Sequence, residues 1–189
     1  TIEESRSGKP TFTLDLPSTI KEFEISNCIF QNNLCNSVDN DGGGSGLVLT
    51  FGGSTNSTAK FTSCKFISNK ASSSGGAFAY GITQDTKKIQ IEFKHCYFSQ
   101  NSAKGTEGGA LYIATDVPSI IDSCIFVSNK ANGSGAKGGA VTIHSTSVVE
   151  LSNITFESNT AIDGHAIHVF DSCNSVTING STIRNNGIS

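Results

Sequence analysis

Hydrophobic and polar residues recur along this chain in a fixed phase around one aromatic position. That position holds Phe30, Phe66, Phe98, Phe126 and Phe156 and, in the last copy, Ile183. Successive copies lie 27 to 36 residues apart. Mostly apolar residues also lie two, five and seven positions before it, and steps of two indicate β-strands. Repeats of this length indicate a solenoid or a propeller.

The second and fifth positions before the aromatic are three residues apart, which breaks the strand period of two and requires a bend between them. Polar pairs such as Thr62-Ser63 fill this bend. Another alternating segment follows a Gly-Gly-Ala sequence, as in Leu111-Tyr112-Ile113. Identical residues recur at equal phase, which favours a parallel β-helix over a propeller. Neighbouring coils of a β-helix lie about 4.8 Å apart, so that identical side chains stack.

We therefore predict an all-β, right-handed parallel β-helix with three short strands per coil and about five to six coils of about 30 residues. Residues 23–189 would form this single solenoid, and residues 1–22 an irregular N-terminal segment with an incomplete first coil. Loops are expected at 36–45, 50–58 and 81–88, where the copies are longest. The double glycine is retained in three copies, so we expect the glycines to mark where the coil is free to vary.

An asparagine lies three residues after the aromatic position in every copy. Asn tolerates the left-handed backbone of a sharp bend, and its amide can pair with the coils on either side. We expect a structural ladder rather than a chemical site. Its members are Asn33, Asn69, Asn101, Asn129, Asn159 and Asn186.

The aromatic position and the cysteines two residues before it predict the core. We expect the cysteines to be free thiols that behave as small buried hydrophobes, because parallel Cβ vectors suit a disulfide poorly. Cys35 and Cys173 are not expected to pair with each other. The predicted core stack is Phe30, Phe66, Phe98, Phe126, Phe156, Cys28, Cys64, Cys96 and Cys124.

Composition excludes several classes of function. Charged residues make up 15% of the chain, the net charge is −3, and no basic patch is visible, so nucleic acid is not an expected partner. No apolar run approaches the roughly 20 residues that span a bilayer, so direct membrane insertion is not expected. The chain begins at Thr1 and contains no methionine, which favours a processed or excised chain.

Candidate chemistry is sparse. Carbohydrate-active β-helices need clustered outward carboxylates or basic residues on one strand face. The outward positions after the glycines carry no carboxylate cluster: Val48, Ala79, Tyr112, Thr142 and His168. His144, His165 and His168 suggest a metal site, but no carboxylate shares their pattern. Asp39-Asn40-Asp41-Gly42 begins like a calcium loop, yet its twelfth position is Thr50 rather than Glu. We therefore predict no catalytic, cofactor or metal residues.

Four Asn-x-Ser/Thr sequons occur, at Asn56, Asn132, Asn153 and Asn179. This number is what chance predicts for a chain so rich in Asn, Ser and Thr, so the sequons do not argue for secretion. If the chain is glycosylated, Asn56 and Asn132 are the best acceptors because both lie in predicted loops.

The paired Phe-x-x-Asn and Gly-Gly-Ala-(Ile/Leu/Val) motifs resemble the repeats of chlamydial polymorphic membrane proteins. They are also similar to Cys-x-Phe-x-x-Asn repeats in large surface proteins of protists and other microbes. The resemblance covers roughly residues 23–186. It implies a β-helical surface protein of autotransporter type that acts as an adhesin.

The chain stops where another strand is due and begins with residues that could supply it. If two copies were joined head to tail, Ile183 of one copy and Phe30 of the next would be 36 residues apart, which equals the longest coil within the chain. This fits a polymer of identical copies or a segment of a longer array.

We predict a non-enzymatic extracellular or cell-surface rod, structural or adhesive, that stacks end to end or forms part of a long stalk. One alternative is an adhesin segment that binds a cell-surface receptor or glycan through its loops. A carbohydrate-active β-helix enzyme is the third.

Overall fold

The described strands build a parallel β-solenoid. The computed structural model describes residues 20–36, 57–80, 89–144 and 148–187 in full, and the backbone of the strands at 2–3, 6–7, 13–17 and 47–52. Strands of successive coils pair in parallel. The all-β parallel β-helix prediction is confirmed. The described part of the chain contains no helix, and therefore none that is long and apolar enough to cross a membrane.

The strands form four parallel ladders, numbered here in chain order within a coil. Ladder 1 contains Glu22–Ser26, Ser57–Thr62, Ile89–Lys94, Ser119–Asp122, Val148–Ser152 and Ser175–Asn179. Ladder 2 contains Ile2–Glu3, Ile29–Gln31, Lys65–Ile67, Tyr97–Ser99, Ile125–Val127, Thr155–Glu157 and Thr182–Arg184. Ladder 3 contains Arg6–Ser7, Leu34–Cys35, Lys70–Ala71, Ser102–Ala103 and Lys130–Ala131. Ladder 4 contains Thr13–Pro17, Leu47–Gly52, Phe78–Tyr80, Leu111–Ile113, Val141–Ile143 and Ile167–Val169.

Ladder 3 corrects the predicted three strands per coil. Its strands are two residues long, too short to show an alternating pattern in the sequence. The predicted 50–58 loop is also too long, since strands reach Gly52 and resume at Ser57. Residues 37–46, 53–56 and 81–88, which make up most of the predicted loops, lie outside the described residues. The handedness and the number of coils stay predictions.

The bends between ladders depend on left-handed residues next to the predicted ones. The asparagine column was expected to adopt the left-handed conformation, but the residue before each asparagine does so. These residues have φ values of 53° to 56° and are Asn32, Ser68, Gln100, Ser128, Ser158 and Asn185. The bend between ladders 1 and 2 uses Asn27, Ser63, His95, Ser123, Asn153 and Gly180 in the same way. The chain is therefore turned by the residue before the asparagine at one bend and by the second residue of the polar pair at the other.

The core is a set of stacked aromatic columns. The Phe30, Phe66 and Phe98 rings lie parallel with centroids 4.8 to 4.9 Å apart, and Phe126 and Phe156 continue the stack. All five rings are at most 1% exposed. A second column from ladder 1 packs edge-on against the first, as Phe61 does against Phe66 at 6.5 Å. Full burial of each ring contributes roughly 1.5–3 kcal/mol.

The glycine pair is under tighter steric control than the sequence suggested. The first glycine has a left-handed backbone, with φ of 63° at Gly108 and 64° at Gly138. The second packs against the next coil: a Cβ at Gly109 would lie 2.0 Å from the Gly139 carbonyl oxygen. The expectation that the glycines mark freely varying positions is therefore wrong where the pair is present. In the last copy His165 takes the second position, and Gly187 of the following coil lies against its ring.

We expect Gly109→Ala to lower the free energy of unfolding by roughly 3 kcal/mol, because its new methyl group meets backbone that cannot move independently. Gly135→Ala is the matched control. Its φ is 73°, but a Cβ there meets nothing within 4 Å, so it should cost only roughly 1–2 kcal/mol of backbone strain. Urea unfolding monitored by circular dichroism measures both. Equal losses would contradict the close-packing account.

Candidate functional site

The asparagine column forms a continuous hydrogen-bonded ladder inside the solenoid. Asn69 Nδ2 donates to Asn101 Oδ1 at 3.0 Å, and the backbone N–H of Asn69 donates to the same oxygen at 3.0 Å. The second Nδ2 proton goes to the Phe30 carbonyl at 2.9 Å. The same pattern repeats through Asn101, Asn129 and Asn159.

These asparagines satisfy the backbone groups that the bend directs inward. Asn33, Asn69, Asn101, Asn129 and Asn159 are 0% exposed, and a buried unpaired N–H or C=O costs roughly 1–3 kcal/mol. Asn186 closes the ladder by donating to the Phe156 and Arg184 carbonyls, both at 3.0 Å. With their amides engaged in this way, the asparagines hold coils together and leave no group facing a ligand.

The cysteine column performs the same task at the other bend. The backbone N–H of Cys64 donates to Cys96 Sγ at 3.4 Å, and Cys96 N–H donates to Cys124 Sγ at 3.4 Å. Each thiol lies within hydrogen-bonding distance of carbonyls, as Cys96 does of Phe61 and Lys94 at 3.3 Å. These cysteines are therefore not merely small hydrophobes. The sequence indicates this role through Ser181, which takes the cysteine position in the last copy. Its Oγ accepts a hydrogen bond from the Ile154 N–H at 3.1 Å.

The stacked thiols are poorly suited to redox or nucleophilic chemistry. All six cysteines lie in the described part of the chain, and none of them forms a disulfide bond there. The contact with Cys124 and burial raise the pKa of the Cys96 thiol to about 12. The contact with Cys96 and burial raise the pKa of Cys64 further. Because the thiolate is the reactive form, these side chains are inert at neutral pH.

Charged residues cluster instead on the outer side of ladder 4. Glu107, Lys137 and Asp163 occupy equivalent positions in three successive coils, joined by parallel bridges. Each immediately precedes the first glycine of its coil. The sequence contains this signal, but variable coil lengths hide it when positions are counted from the aromatic residue.

Two histidines and a phenylalanine complete this cluster, which we call the ladder 4 cluster. His168 Nδ1 lies 3.4 Å from Asp163 Oδ2, so a carboxylate does share the histidine pattern, contrary to the expectation. His144 stacks on Phe170 at 4.7 Å, and Lys137 Nζ lies 4.7 Å from the centre of the same ring. His165 lies apart: its Nδ1 accepts from Ala161 N–H at 3.3 Å.

The outward positions of ladder 4 are covered rather than open. Ala79 and Thr142 are 0% exposed and Tyr112 is 9% exposed. Thr142 Oγ1 accepts from Gly108 N–H and donates to the Lys137 carbonyl, both at 2.9 Å. Burial raises the pKa of Tyr112 to about 12. These three outward positions are therefore covered by neighbouring residues and not open to solvent.

The Glu107 carboxyl group of the ladder 4 cluster is partly buried. Burial raises its pKa, and His144, Lys137 and His168 only partly oppose this. Among the described residues, no group of three or more His, Cys, Asp or Glu side chains is placed to hold a metal ion.

The remaining sequence candidates lie apart from this cluster. Asn132 is exposed and its Nδ2 donates to Ser102 Oγ at 3.1 Å. Asn153 is also exposed, but its Nδ2 donates to Asp122 Oδ1 at 3.1 Å. Asn56 and the calcium-like sequence at 39–42 lie outside the described residues.

Residues 95–114 match the family model of the Chlamydia polymorphic membrane protein repeat. The match spans the aromatic Phe98, the ladder residue Asn101 and the glycine pair at 108–109. The resemblance recognised in the sequence is therefore shown for this repeat. The searches of curated proteins and of solved structures gave no significant match.

We expect Cys96→Ser to retain about 1 kcal/mol more of the unfolding free energy than Cys96→Val, because valine leaves the Cys64 N–H without its acceptor. Serine at position 181 already serves as such an acceptor. Thermal and urea unfolding under reducing conditions compare the variants. If valine proves equal or better, the column acts by packing alone.

We expect Glu107→Gln to raise stability at pH 7 and to have little effect near pH 3. A folded-state pKa above the unfolded value means that ionisation of Glu107 lowers stability as pH rises beyond about 4.3. Glutamine avoids that loss, so the difference in Tm between variant and parent should grow with pH. The exposed Glu150→Gln is the control. A pH-independent difference would contradict the burial of this carboxyl group.

Proposed function

We propose that this chain is a non-enzymatic, extracellular structural rod displayed at a cell surface. The observation that carries this proposal is the match of residues 95–114 to a surface-protein repeat, in a coil that is joined to its neighbours in all four ladders. Proteins with this repeat are surface-exposed, which supports a similar location here.

The interior supports a mechanical role. Ladder hydrogen bonds, asparagine amides and stacked rings all join one coil to the next, so they resist stretching and bending together. The ladder 4 cluster balances its charges across coils, with Lys137 between Glu107 and Asp163. That arrangement favours adhesion between coils over catalysis.

We further propose that the rod is extended end to end by a second copy. Ile183 takes the aromatic position of the last described coil and is 56% exposed, and Ile178 beside it is 41% exposed. In earlier coils the next coil covers these positions. The first coil of a second copy, or more coils of a longer chain, would cover them here in the same way.

Negative-stain electron microscopy of the purified 189-residue chain tests this function. We expect rods whose length increases with protein concentration, and Ile178→Lys with Ile183→Lys should leave single short rods. Discrete short particles for the parent at high concentration would contradict end-to-end stacking. Antibody labelling of intact cells tests the location, and labelling seen only after cell lysis would contradict surface display.

A further inference from the structure

The outer side of ladder 1 carries an acidic face with a regular period. Register places Glu24, Lys60, Glu92, Ile120 and Glu150 in one column. A glutamate thus appears at every second coil, or about every 9.6 Å. Glu24 and Glu150 are exposed and form no ion pair within the described part of the chain, whereas Glu92 lies 3.4 Å from Lys94.

Ladder 3 carries a basic face with the same period. Its outward column places Leu34, Lys70, Ser102 and Lys130 in register, so lysine also appears at every second coil. Lys65 and Lys104 flank this column. All four lysines are exposed, and none forms an ion pair with another described residue.

Both faces also offer apolar contact area. Beside the basic face, ladder 2 presents Ile125, which is 41% exposed, next to the half-buried Ile67 and Val127. On the acidic face Val148 is 36% exposed and Ile120 is half-buried. Protein interfaces commonly combine apolar contact area with neighbouring charged residues, as both faces do here.

We propose that these rods associate side by side, with the acidic face of one copy against the basic face of a second copy. The charges are opposite and the two-coil spacing is identical, because both columns belong to the same solenoid. Two rods with parallel axes can therefore match Lys70 and Lys130 of one copy with two successive glutamates of the other at one register. Such a contact joins two different surfaces, so it propagates into bundles rather than closing as a dimer.

A second copy fits these observations better than an anionic polymer. A polyanion would use the four lysines and leave the acidic column without a role. A second copy uses both columns and both apolar patches. This lateral contact does not depend on end-to-end stacking, because the end coil is not part of either face.

Charge exchange between the two faces tests the proposal on the 189-residue chain. Lys70→Glu with Lys130→Glu makes the lysine column acidic, and Glu24→Lys with Glu150→Lys makes the glutamate column basic. In sedimentation velocity at about 0.05 M salt, each variant alone should self-associate about tenfold more weakly than the parent. An equimolar mixture should recover parental association, because each variant then meets its complement.

Lys21→Glu with Lys94→Glu is the control for net charge. It adds the same negative charge on the acidic side of the rod, and Lys94 is paired with Glu92 of the acidic column. Because this side docks against lysines, the variant should not weaken self-association. Circular dichroism should show that all variants remain folded, since every changed residue is exposed.

Three results would overturn the proposal. They are a parent that does not associate laterally at low salt, variants that associate as the parent does, and a mixture that is no tighter than its components. Immobilised heparin is the probe for the competing partner. Binding that is lost in the Lys70 and Lys130 variant, with no self-association of the parent, would assign the basic face to a polyanion instead.

Discussion

The solenoid depends on satisfying backbone groups at buried bends. A strand ladder pairs every N–H and C=O along its length, but a bend directs some of them into the core, where water is absent. At one bend the amide of an asparagine from the next coil supplies the missing partner. At the other a thiol or hydroxyl does so where the next coil carries Cys96, Cys124 or Ser181. Each coil therefore needs its neighbour for its own backbone to be paired. This explains why the asparagine recurs in every copy while coil length varies.

Close packing adds a second constraint. The coil can approach its neighbour between ladders 3 and 4 only where one of the two contacting residues lacks a side chain. Gly109 and Gly139 meet that need in the middle coils. Where His165 stands instead, the glycine appears at 187 in the facing position of the next coil. A glycine is thus required at one of two facing positions in neighbouring coils, not always within the Gly-Gly-Ala motif. This explains why the double glycine is absent from half of the copies.

Much of the interior could be predicted because its residues recur once per coil at fixed distances from the aromatic position. The asparagine, phenylalanine and cysteine columns follow from counting positions around the aromatic. Ladder 3 was missed because two residues show no alternation, and the left-handed bends were placed one residue late because Asn32 and Asn33 both suit such a bend. The ladder 4 cluster was missed because Glu107, Lys137 and Asp163 keep phase with the glycines rather than with the aromatic. Counting from each motif separately would have found them.

The outside of the rod follows a different rule from the inside. Interior columns repeat at every coil because identical side chains stack and pair there. Stacking identical charges at every coil, about 4.8 Å apart, would be repulsive. Alternation with Lys60 and Ile120 in the glutamate column, and with Ser102 in the lysine column, relieves that repulsion. It also doubles the spacing on both faces equally. A requirement of single-rod stability therefore gives the two faces a common period, and side-by-side matching needs no further adjustment of register.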